Sequence, residues 1–335
     1  MADVAVLGAG NWGTTLAQVI AEGGHSVALW TRRKALATQI NKHRENKRYL
    51  DGFTLSDRIE ATTDLAACVQ SAPVVLFVVP SKAFRYVARD VGEVLEPHQL
   101  VLHATKGIEP VTHLRMTQII MQETCSLQLG VASGPNIARE ICEGKPAGIV
   151  VATAFPRVAA AAKRLLHGRR LRVYDNDDVI GVELAGALKN VVAIAGGMAT
   201  AMQLGENAKA LLVTRGLSEI ARVGVAMGAR PTTFAGVAGM GDLIVTCTST
   251  QSRNHRVGAA LAQGKTLKQA VKALGMVAEG VRTAAVVRDI AERRGIEAPL
   301  MITVHRVLEG ELSPQAGLAA LMALEAVPDV APSLR

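Results

Sequence analysis

Aromatic residues and cysteines are scarce in this sequence of 335 residues, and no apolar run is long. Only 3% of the residues are aromatic, whereas 49% are hydrophobic and 31 residues are glycine. This balance excludes disordered and fibrous classes and is typical of a compact protein rich in small apolar side chains. A chain of this length predicts two domains, each able to bury its own core.

The four cysteines lie far apart and form no CxxC pair, which argues against a disulfide framework and a zinc site. The longer apolar runs, residues 74–79 and 318–324, fall far short of the roughly 20 residues that span a bilayer. No signal peptide is expected, because the first predicted strand starts at Val4. We therefore expect a cytoplasmic protein with no metal site and no membrane insertion.

The net charge of the chain is +8. Its basic residues are dispersed and no aromatic side chains are interleaved with them, so the pattern does not favour nucleic-acid binding. A basic surface can simply aid solubility, or it can attract small anions such as a dinucleotide and a phosphorylated substrate. Both interpretations of the charge remain open at this point.

The two halves of the chain differ in their predicted secondary structure. The first half alternates short apolar runs with helical stretches, which predicts an α/β fold with a Rossmann-like, doubly wound parallel sheet over residues 1–178. From Gly181 onward the sequence is Ala-rich and helical, without a strand of convincing length. Residues 179–335 are therefore predicted to form an all-helical domain that binds substrate and carries catalysis.

A glycine-rich turn follows the first predicted strand, residues 4–7, and precedes a helix. Gly8 permits a tight turn, Gly10 lets the backbone approach a pyrophosphate, and Gly13 lets the helix pack on the strand. The exposed N–H groups and the helix dipole then favour an anion. This context predicts dinucleotide binding, although a tight turn without a ligand has the same local pattern.

The second predicted strand ends in Trp30-Thr31-Arg32-Arg33, without the acidic residue that usually holds the ribose 2′-OH of NAD. Two arginines instead suit a 2′-phosphate through charge-assisted hydrogen bonds. We therefore expect NADP(H) to be favoured, with NAD(H) possible. The alternative is that both arginines are merely solvated at a helix start.

Lys189 lies in the apolar stretch of residues 182–197, which predicts a buried helix. Burying a lysine is costly unless it is paired or its pKa falls, and a lysine with a lowered pKa can exchange protons near neutral pH. Lys189 is therefore a candidate acid–base residue. The alternative is a lysine whose charged end reaches the rim of the domain.

Three further segments are candidate substrate contacts. Residues 239–242 form a predicted glycine-rich loop ending in Asp242, and residues 252–254, Ser-Arg-Asn, follow at a predicted helix start that could hold a phosphate. Ordinary capping by Ser252 is the alternative there. Lys106 and the segment 134–140 follow predicted strands, where ligands of open α/β sheets bind.

Motifs along nearly the whole chain resemble the bacterial-type NAD(P)-dependent glycerol-3-phosphate dehydrogenases. They are GAGNWGTTLA (residues 8–17), NKRYL (46–50), VPS (79–81), TKGIE (105–109), SGPNIARE (133–140), GVELAGALKNVVAIAGGM (181–198), NAKALLVTRGLSEI (207–220), GMGDLIVTCTSTQSRNHRVG (239–258) and AEG (278–280). The KN helix combined with the GDL and SRN segments is specific, since related hydroxyacid reductases lack the latter pair.

The resemblance implies a homodimer that interconverts dihydroxyacetone phosphate and sn-glycerol 3-phosphate by hydride transfer with NAD(P)H, supplying glycerol 3-phosphate for glycerophospholipid synthesis. It implies that Lys189 moves the proton on the C2 oxygen and that Lys106 contacts both substrate and cofactor. The other implied substrate contacts are Gly134, Asn136, Asp242, Ser252, Arg253 and Asn254. The other implied dinucleotide contacts are Asn11, Trp12, Arg32, Arg33, Ala138, Arg253, Val277 and Glu279.

The sequence departs from the usual family pattern at Asn11, where Ser is common, at Asp51, where Pro is frequent, and at residues 199–201, where Asp-Gly is often found. Two other functions are left open. A β-hydroxyacid dehydrogenase or ketopantoate-type reductase would also use a helix lysine but would not need the Ser-Arg-Asn segment. A non-catalytic NADP-sensing module would bind the cofactor without turnover.

Overall fold

The structure is a computed structural model that describes residues 1–275 and 278–325. Its contacts divide the chain into two compact units. The first unit comprises Met1–Thr105 and Met116–Val179, and the second comprises Lys106–Arg115 and the residues from Ile180 onward. The assignment of dinucleotide binding to residues 1–178 and of substrate binding and catalysis to residues 179–335 stays a prediction.

The first unit is an eight-stranded sheet with helical connections, and the predicted Rossmann-like α/β fold is confirmed. Its strands are β1 (Val4–Leu7), β2 (Val27–Trp30), β3 (Ile59–Thr62), β4 (Val74–Phe77), β5 (Leu100–His103), β6 (Leu129–Ser133), β7 (Ala147–Ala152) and β8 (Leu171–Asn176). Its helices are α1 (Asn11–Glu22), α2 (Lys34–His43), α3 (Leu65–Gln70), α4 (Ser81–Gly92), α5 (Met116–Glu123), α6 (Ala138–Cys142) and α7 (Pro156–Leu166).

The strand order is β3-β2-β1-β4-β5-β6-β7-β8, so the order reverses between β1 and β4. β1, β4 and β5 are buried along their whole length, which is typical of parallel strands covered on both faces. Ligands of open α/β sheets bind beyond the carboxyl ends of the strands at such a reversal. The glycine-rich turn follows β1 and therefore lies at this position.

One strand pair departs from the predicted parallel sheet, because β7 runs antiparallel to β6, with Val131 opposite Ala152. The connecting helix α6 has only 5 residues and rises about 7.5 Å, whereas a strand of the length of β7 extends about 20 Å. So short a helix does not carry the chain back along the strand. The 11-residue helix α7 does, and β8 pairs parallel with β7.

The second unit is helical, apart from its segment Lys106–Arg115. Its helices are α8 (Val179–Ala201), α9 (Gly205–Ala226), α10 (Pro231–Phe234), α11 (Asp242–Thr248), α12 (Arg253–Ala262), α13 (Leu267–Leu274), α14 (Glu279–Arg294), α15 (Pro299–Leu308) and α16 (Pro314–Met322). A π-helical turn, Val237–Gly241, leads directly into α11.

Helix α8 is the core of the second unit. Within the described ranges it is the one helix long and apolar enough to cross a membrane, but 89% of its most apolar window is buried inside the protein. The backbones of α8 and α12 touch, because a Cβ on Gly197 would lie 1.9 Å from the His255 oxygen and one on Gly258 would lie 1.8 Å from the Ile194 oxygen. The glycines of α8 and α12 therefore permit this close crossing.

Candidate active site

The turn after β1 has a shape that only glycine allows at two positions. Gly8 has a φ of +123°, and a Cβ there would lie 2.8 Å from the Val78 oxygen. A Cβ on Gly13 would lie 1.8 Å from the Gly8 oxygen. The turn is therefore held tightly against β4 and its own helix, as its sequence predicts.

Gly10 differs, because no heavy atom of residues 1–275 or 278–325 lies within 4 Å of where its Cβ would be. Gly10 is the N-cap of α1, and none of the described side chains caps this helix end. The first N–H groups of a helix have no acceptor within the helix and favour an anion. The open space at Gly10 and the uncapped helix end fit a dinucleotide pyrophosphate. The buried Asn11 Oδ1 has no hydrogen-bond partner among the described residues, and as an acceptor it suits a ribose hydroxyl and not the pyrophosphate oxygens.

Arg32 and Arg33 follow β2, and both side chains are exposed. Arg33 is the N-cap of α2, and its backbone N–H donates to Thr31 Oγ1 at 3.3 Å. No acidic residue stands in this β2–α2 connection. The connection can therefore present two guanidinium groups to an anion but no carboxylate to a ribose hydroxyl.

The predicted contacts after β6 lie around a second tight turn. Gly134 has a φ of +157°, and a Cβ there would lie 2.8 Å from the Gly148 oxygen. Asn136 donates through Nδ2 to that same oxygen at 3.0 Å, whereas its buried Oδ1 has no hydrogen-bond partner within the described parts of the chain. Ala138 is buried and begins α6. Asn136 thus keeps an acceptor that a ligand hydroxyl can use.

In the second unit, Lys189 on α8 is 5% exposed and is hydrogen-bonded on two sides. Its Nζ donates to the Asp242 carboxylate and to Thr246 Oγ1. Lys106 Nζ lies 2.5 Å from the other carboxylate oxygen of Asp242. One fully buried carboxylate therefore joins two lysines that are far apart in sequence.

Burial lowers the pKa of Lys189 to about 7, because charging an amine away from water is costly. The Asp242 carboxylate opposes this shift, and the Lys106 ammonium adds to it. A lysine with a pKa near 7 is present in both protonation states at neutral pH. Lys189 can therefore give or take a proton in either direction of a reaction.

Asp242 and Thr246 reach Lys189 from one face of α11, because residues four apart on a helix lie above one another. The prediction of a loop over residues 239–242 is wrong, since this segment is the end of the π-helical turn and the start of α11. A Cβ on Gly239 would lie 2.2 Å from the Phe234 oxygen. Tight packing thus selects this glycine, and π-helical turns are frequent at functional sites.

The Ser-Arg-Asn segment starts α12. Ser252 is the N-cap, and its hydroxyl accepts from His255 N at 3.3 Å, so the capping interpretation describes this side chain. Arg253 is exposed, and its charge interacts with that of Glu279. Asn254 is buried, and its Nδ2 donates to Asn190 Oδ1 at 2.8 Å. Substrate contacts by these three residues stay predictions.

The AEG motif lies at the start of α14. Glu279 begins this helix, and the Gly280 N–H donates to Asn254 Oδ1 at 3.0 Å. Val277, another predicted dinucleotide contact, lies outside the described residues. The structure thus links Asn254 to two neighbours, Asn190 and Gly280.

Sequence reasoning missed Thr246, Asn190 and Gly280 as parts of this site. Thr246 could have been found from its spacing of four after Asp242, had residues 239–248 been interpreted as helical. Asn190 follows Lys189 directly, but its side chain reaches Asn254 rather than Asp242. Within the described residues, no group of three His, Cys, Asp or Glu side chains is placed to hold a metal ion.

A dinucleotide turn on a Rossmann-like sheet and a buried lysine–carboxylate pair in a helical unit define a dinucleotide-dependent oxidoreductase. Residues 3–159 match the family model described as NAD-dependent glycerol-3-phosphate dehydrogenase N-terminus, and residues 178–319 match the model for the C-terminus. The chain therefore belongs to the NAD-dependent glycerol-3-phosphate dehydrogenase family, as its motifs predict.

Similar proteins align over nearly the whole chain. The glycerol-3-phosphate dehydrogenase [NAD(P)+] of Azotobacter vinelandii is 47% identical over 328 residues, which cover 98% of this chain and 96% of that protein. The protein of the same name from Stenotrophomonas maltophilia is 44% identical, with 97% and 96% covered. The crystal structure of glycerol-3-phosphate dehydrogenase from Coxiella burnetii superposes with a TM-score of 0.93 at 37% identity, covering 96% of this chain and 99% of that one.

Proposed function

We propose that this chain interconverts dihydroxyacetone phosphate and sn-glycerol 3-phosphate, with NAD(P)H as the hydride carrier, and so supplies glycerol 3-phosphate for glycerophospholipid synthesis. The observation that carries the proposal is the buried Lys189, held by Asp242 and Thr246 with a pKa of about 7. Family membership gives the substrate class. Lys189 supplies the group that such a reaction needs at the C2 oxygen.

A nicotinamide dinucleotide held at the glycine-rich turn would supply the hydride for C2 in the reductive direction. Lys189 Nζ gives a proton to the C2 oxygen, and in the oxidative direction the neutral amine takes it back. Asp242 holds the amine in place and balances the charge of Lys106. Lys106, Arg253 and Asn254 are the proposed contacts that bind and orient the substrate in the second unit, with Arg253 and Asn254 on the phosphate. Binding energy from the phosphate then helps to orient the reacting carbon.

The remaining substrate contacts are proposed from the family pattern. Asp242 and Ser252 lie in the second unit, and Gly134 and Asn136 lie in the first. The Oδ1 of Asn136 has no hydrogen-bond partner among the residues that the structure describes, which supports a contact of this kind, because buried polar atoms are rarely left without a partner.

The test is a substrate screen with the purified protein, following NADPH absorbance. We expect dihydroxyacetone phosphate to be reduced and sn-glycerol 3-phosphate to be the product. Dihydroxyacetone without its phosphate is the matched control, and its kcat/KM should be lower by about a hundredfold or more, because a phosphate clamp contributes several kcal/mol. Reduction of ketopantoate or another hydroxyacid precursor in place of dihydroxyacetone phosphate would contradict the proposal. Binding of NADPH without turnover of any of these substrates would instead indicate a sensor.

We propose that NADP(H) is the favoured form of the cofactor, through Arg32 and Arg33. In the double variant Arg32→Ala/Arg33→Ala, we expect NADPH to bind about tenfold more weakly, because exposed charge-assisted contacts to a 2′-phosphate contribute on the order of 1–2 kcal/mol together. NADH, which lacks that phosphate, should keep its affinity within about twofold. Fluorescence titration with both cofactors measures the two dissociation constants.

The control for this prediction is Arg157→Ala, which removes an exposed arginine from α7 of the same unit. It should leave both dissociation constants unchanged. An equal loss of NADPH and NADH affinity in the double variant would show that the two arginines do not bind the 2′-phosphate.

We propose that the protein works as a cytoplasmic homodimer. Exposed apolar side chains on the helical unit, Leu211, Met240 and Ile244, support association between two copies. The proposed dinucleotide contacts are Gly8, Gly10, Asn11, Trp12, Gly13, Arg32, Arg33, Lys106, Ala138, Arg253, Val277 and Glu279.

A further inference from the structure

Asn46, in the NKRYL motif, is fully buried although the residues around it are charged. Its Nδ2 donates to the Ala9 carbonyl at 3.1 Å and to Thr14 Oγ1 at 2.8 Å. Its Oδ1 accepts from Tyr49 N at 3.3 Å. The side chain therefore joins both sides of the glycine-rich turn to the loop that follows α2.

The place of Asn46 is itself fixed by its own backbone. Its carbonyl accepts from Tyr49 N at 3.2 Å and from Leu50 N at 2.8 Å, and Leu50 is buried. The loop of residues 46–50 is thus a closed turn anchored by an apolar side chain. A side chain on such a turn can hold its partner in one orientation.

The bond to Ala9 determines where the next peptide N–H points. In a trans peptide, the carbonyl of one residue and the N–H of the next point in opposite directions. With the Ala9 carbonyl held toward the buried Asn46, the Gly10 N–H points away from it. In the part of the chain that the structure describes, no heavy atom lies within 4 Å of the position of a Cβ on Gly10, so these residues leave room for a ligand beside it.

The chemistry of these contacts needs an amide. Both hydrogens of the Asn46 Nδ2 are used, one on Ala9 and one on Thr14, and the oxygen is used on Tyr49. A carboxylate of the same size would offer no hydrogen to the Ala9 carbonyl and would repel it. An apolar side chain would leave that buried carbonyl without a partner.

We propose that Asn46 is a positioning residue for the dinucleotide, which turns the Ala9–Gly10 peptide so that the Gly10 N–H faces the pyrophosphate. This inference rests on the proposed binding of NADP(H) at the turn. Asn46 lies outside the turn, and its buried side chain does not itself bind the cofactor. It orients the Gly10 N–H, which does.

The test compares two ligands of different length in the variants Asn46→Ala and Asn46→Asp. NADPH carries the pyrophosphate, whereas 2′-AMP carries only the adenosine and the 2′-phosphate. Isothermal titration should show NADPH binding about tenfold more weakly in both variants, the effect of one misplaced charge-assisted hydrogen bond. The affinity for 2′-AMP should stay within about twofold, and kcat at saturating NADPH should be retained.

Two matched controls separate an effect on the orientation of the Ala9–Gly10 peptide from a general loss of hydrogen bonding in this unit. Asn41→Ala removes a similar asparagine, which makes two hydrogen bonds of 2.8 Å to the backbone of Ala61 and does not reach the turn. Thr14→Val removes one acceptor of Asn46 but keeps its bond to Ala9. Both controls should keep the affinity for NADPH within about threefold of the native protein.

Three outcomes would overturn the inference. The first is unchanged NADPH affinity in Asn46→Asp, and the second is an equal loss of NADPH and 2′-AMP. The third is a loss of NADPH affinity in Thr14→Val as large as that in Asn46→Asp. This comparison does not need Asn46→Ala, so it tests the inference even if that variant does not fold. A native protein that binds NADPH no better than 2′-AMP would instead contradict the proposed binding at the turn.

Discussion

Lys189→Ala should lower kcat for dihydroxyacetone phosphate by about a thousandfold, within the range that a general acid contributes. The side chain is 5% exposed and hydrogen-bonded to Asp242 and Thr246, so water does not readily take its place as a positioned acid. NADPH should bind with nearly its native affinity, because the turn after β1 is unchanged. Stopped-flow measurement of NADPH oxidation and fluorescence titration give the two quantities.

Two further variants make the Lys189 prediction specific. Lys189→Arg keeps the positive charge, but a guanidinium stays protonated in proteins, so the variant should be nearly as slow as Lys189→Ala in the oxidative direction. Lys209→Ala removes a surface lysine of α9 that pairs with Glu206, and it should leave kcat unchanged. A Lys189→Ala protein that turns over within about tenfold of the native rate would show that another group moves the proton.

The protonation of Lys189 also links the rate to pH. Reduction needs the protonated amine, so its rate should fall as the pH rises through about 7, the pKa to which burial lowers this lysine. Oxidation needs the neutral amine, so its rate should fall as the pH drops below the same value. One buried group therefore gives the rates of reduction and oxidation opposite dependences on pH.

The turn and its flanking elements could be predicted because they are consecutive in sequence. The strand Val4–Leu7 begins and ends where the apolar run does. The direction of β7 could not be predicted in this way, because it depends on α6 having only 5 residues. A helix boundary of that kind is set by packing and not by the apolar pattern.

The candidate site shows the same division between local and distant signals. A lysine in an apolar helix predicts a buried partner, but the sequence of the helix does not identify that partner. Asp242 is 53 residues from Lys189 and 136 residues from Lys106, so only the fold shows that one carboxylate serves both. Asn46 reaches the turn from 37 residues away in the same manner.

The Asp242 carboxylate has two effects on Lys189 that one substitution can separate. It holds the amine in place through a hydrogen bond, and its negative charge raises the pKa of Lys189 against the effect of burial. Asp242→Asn keeps the size and an oxygen acceptor but removes the charge. The ammonium groups of Lys106 and Lys189 then lose the negative charge of the carboxylate that joins them.

We expect Asp242→Asn to lower kcat about a hundredfold, a loss typical of a misplaced catalytic group. The pKa of Lys189 should fall further, because the Asp242 charge then no longer opposes burial and the Lys106 charge. Both pH limbs should move to lower pH by about one unit or more, given a Coulomb energy of several kcal/mol for two charges in contact. Initial rates in both directions, measured from pH 5 to pH 9 at saturating cofactor, follow this shift.

Asp289→Asn is the matched control for Asp242→Asn, because Asp289 is another aspartate of the helical unit and pairs with Arg288 at 2.7 Å. Its pH limbs should coincide with those of the native protein. Removing the partner of a buried charge also costs stability, so Asp242→Asn should melt at a lower temperature, and rates are compared below that temperature. Unshifted pH limbs in a folded Asp242→Asn protein would mean that the group titrating near neutral pH is not Lys189.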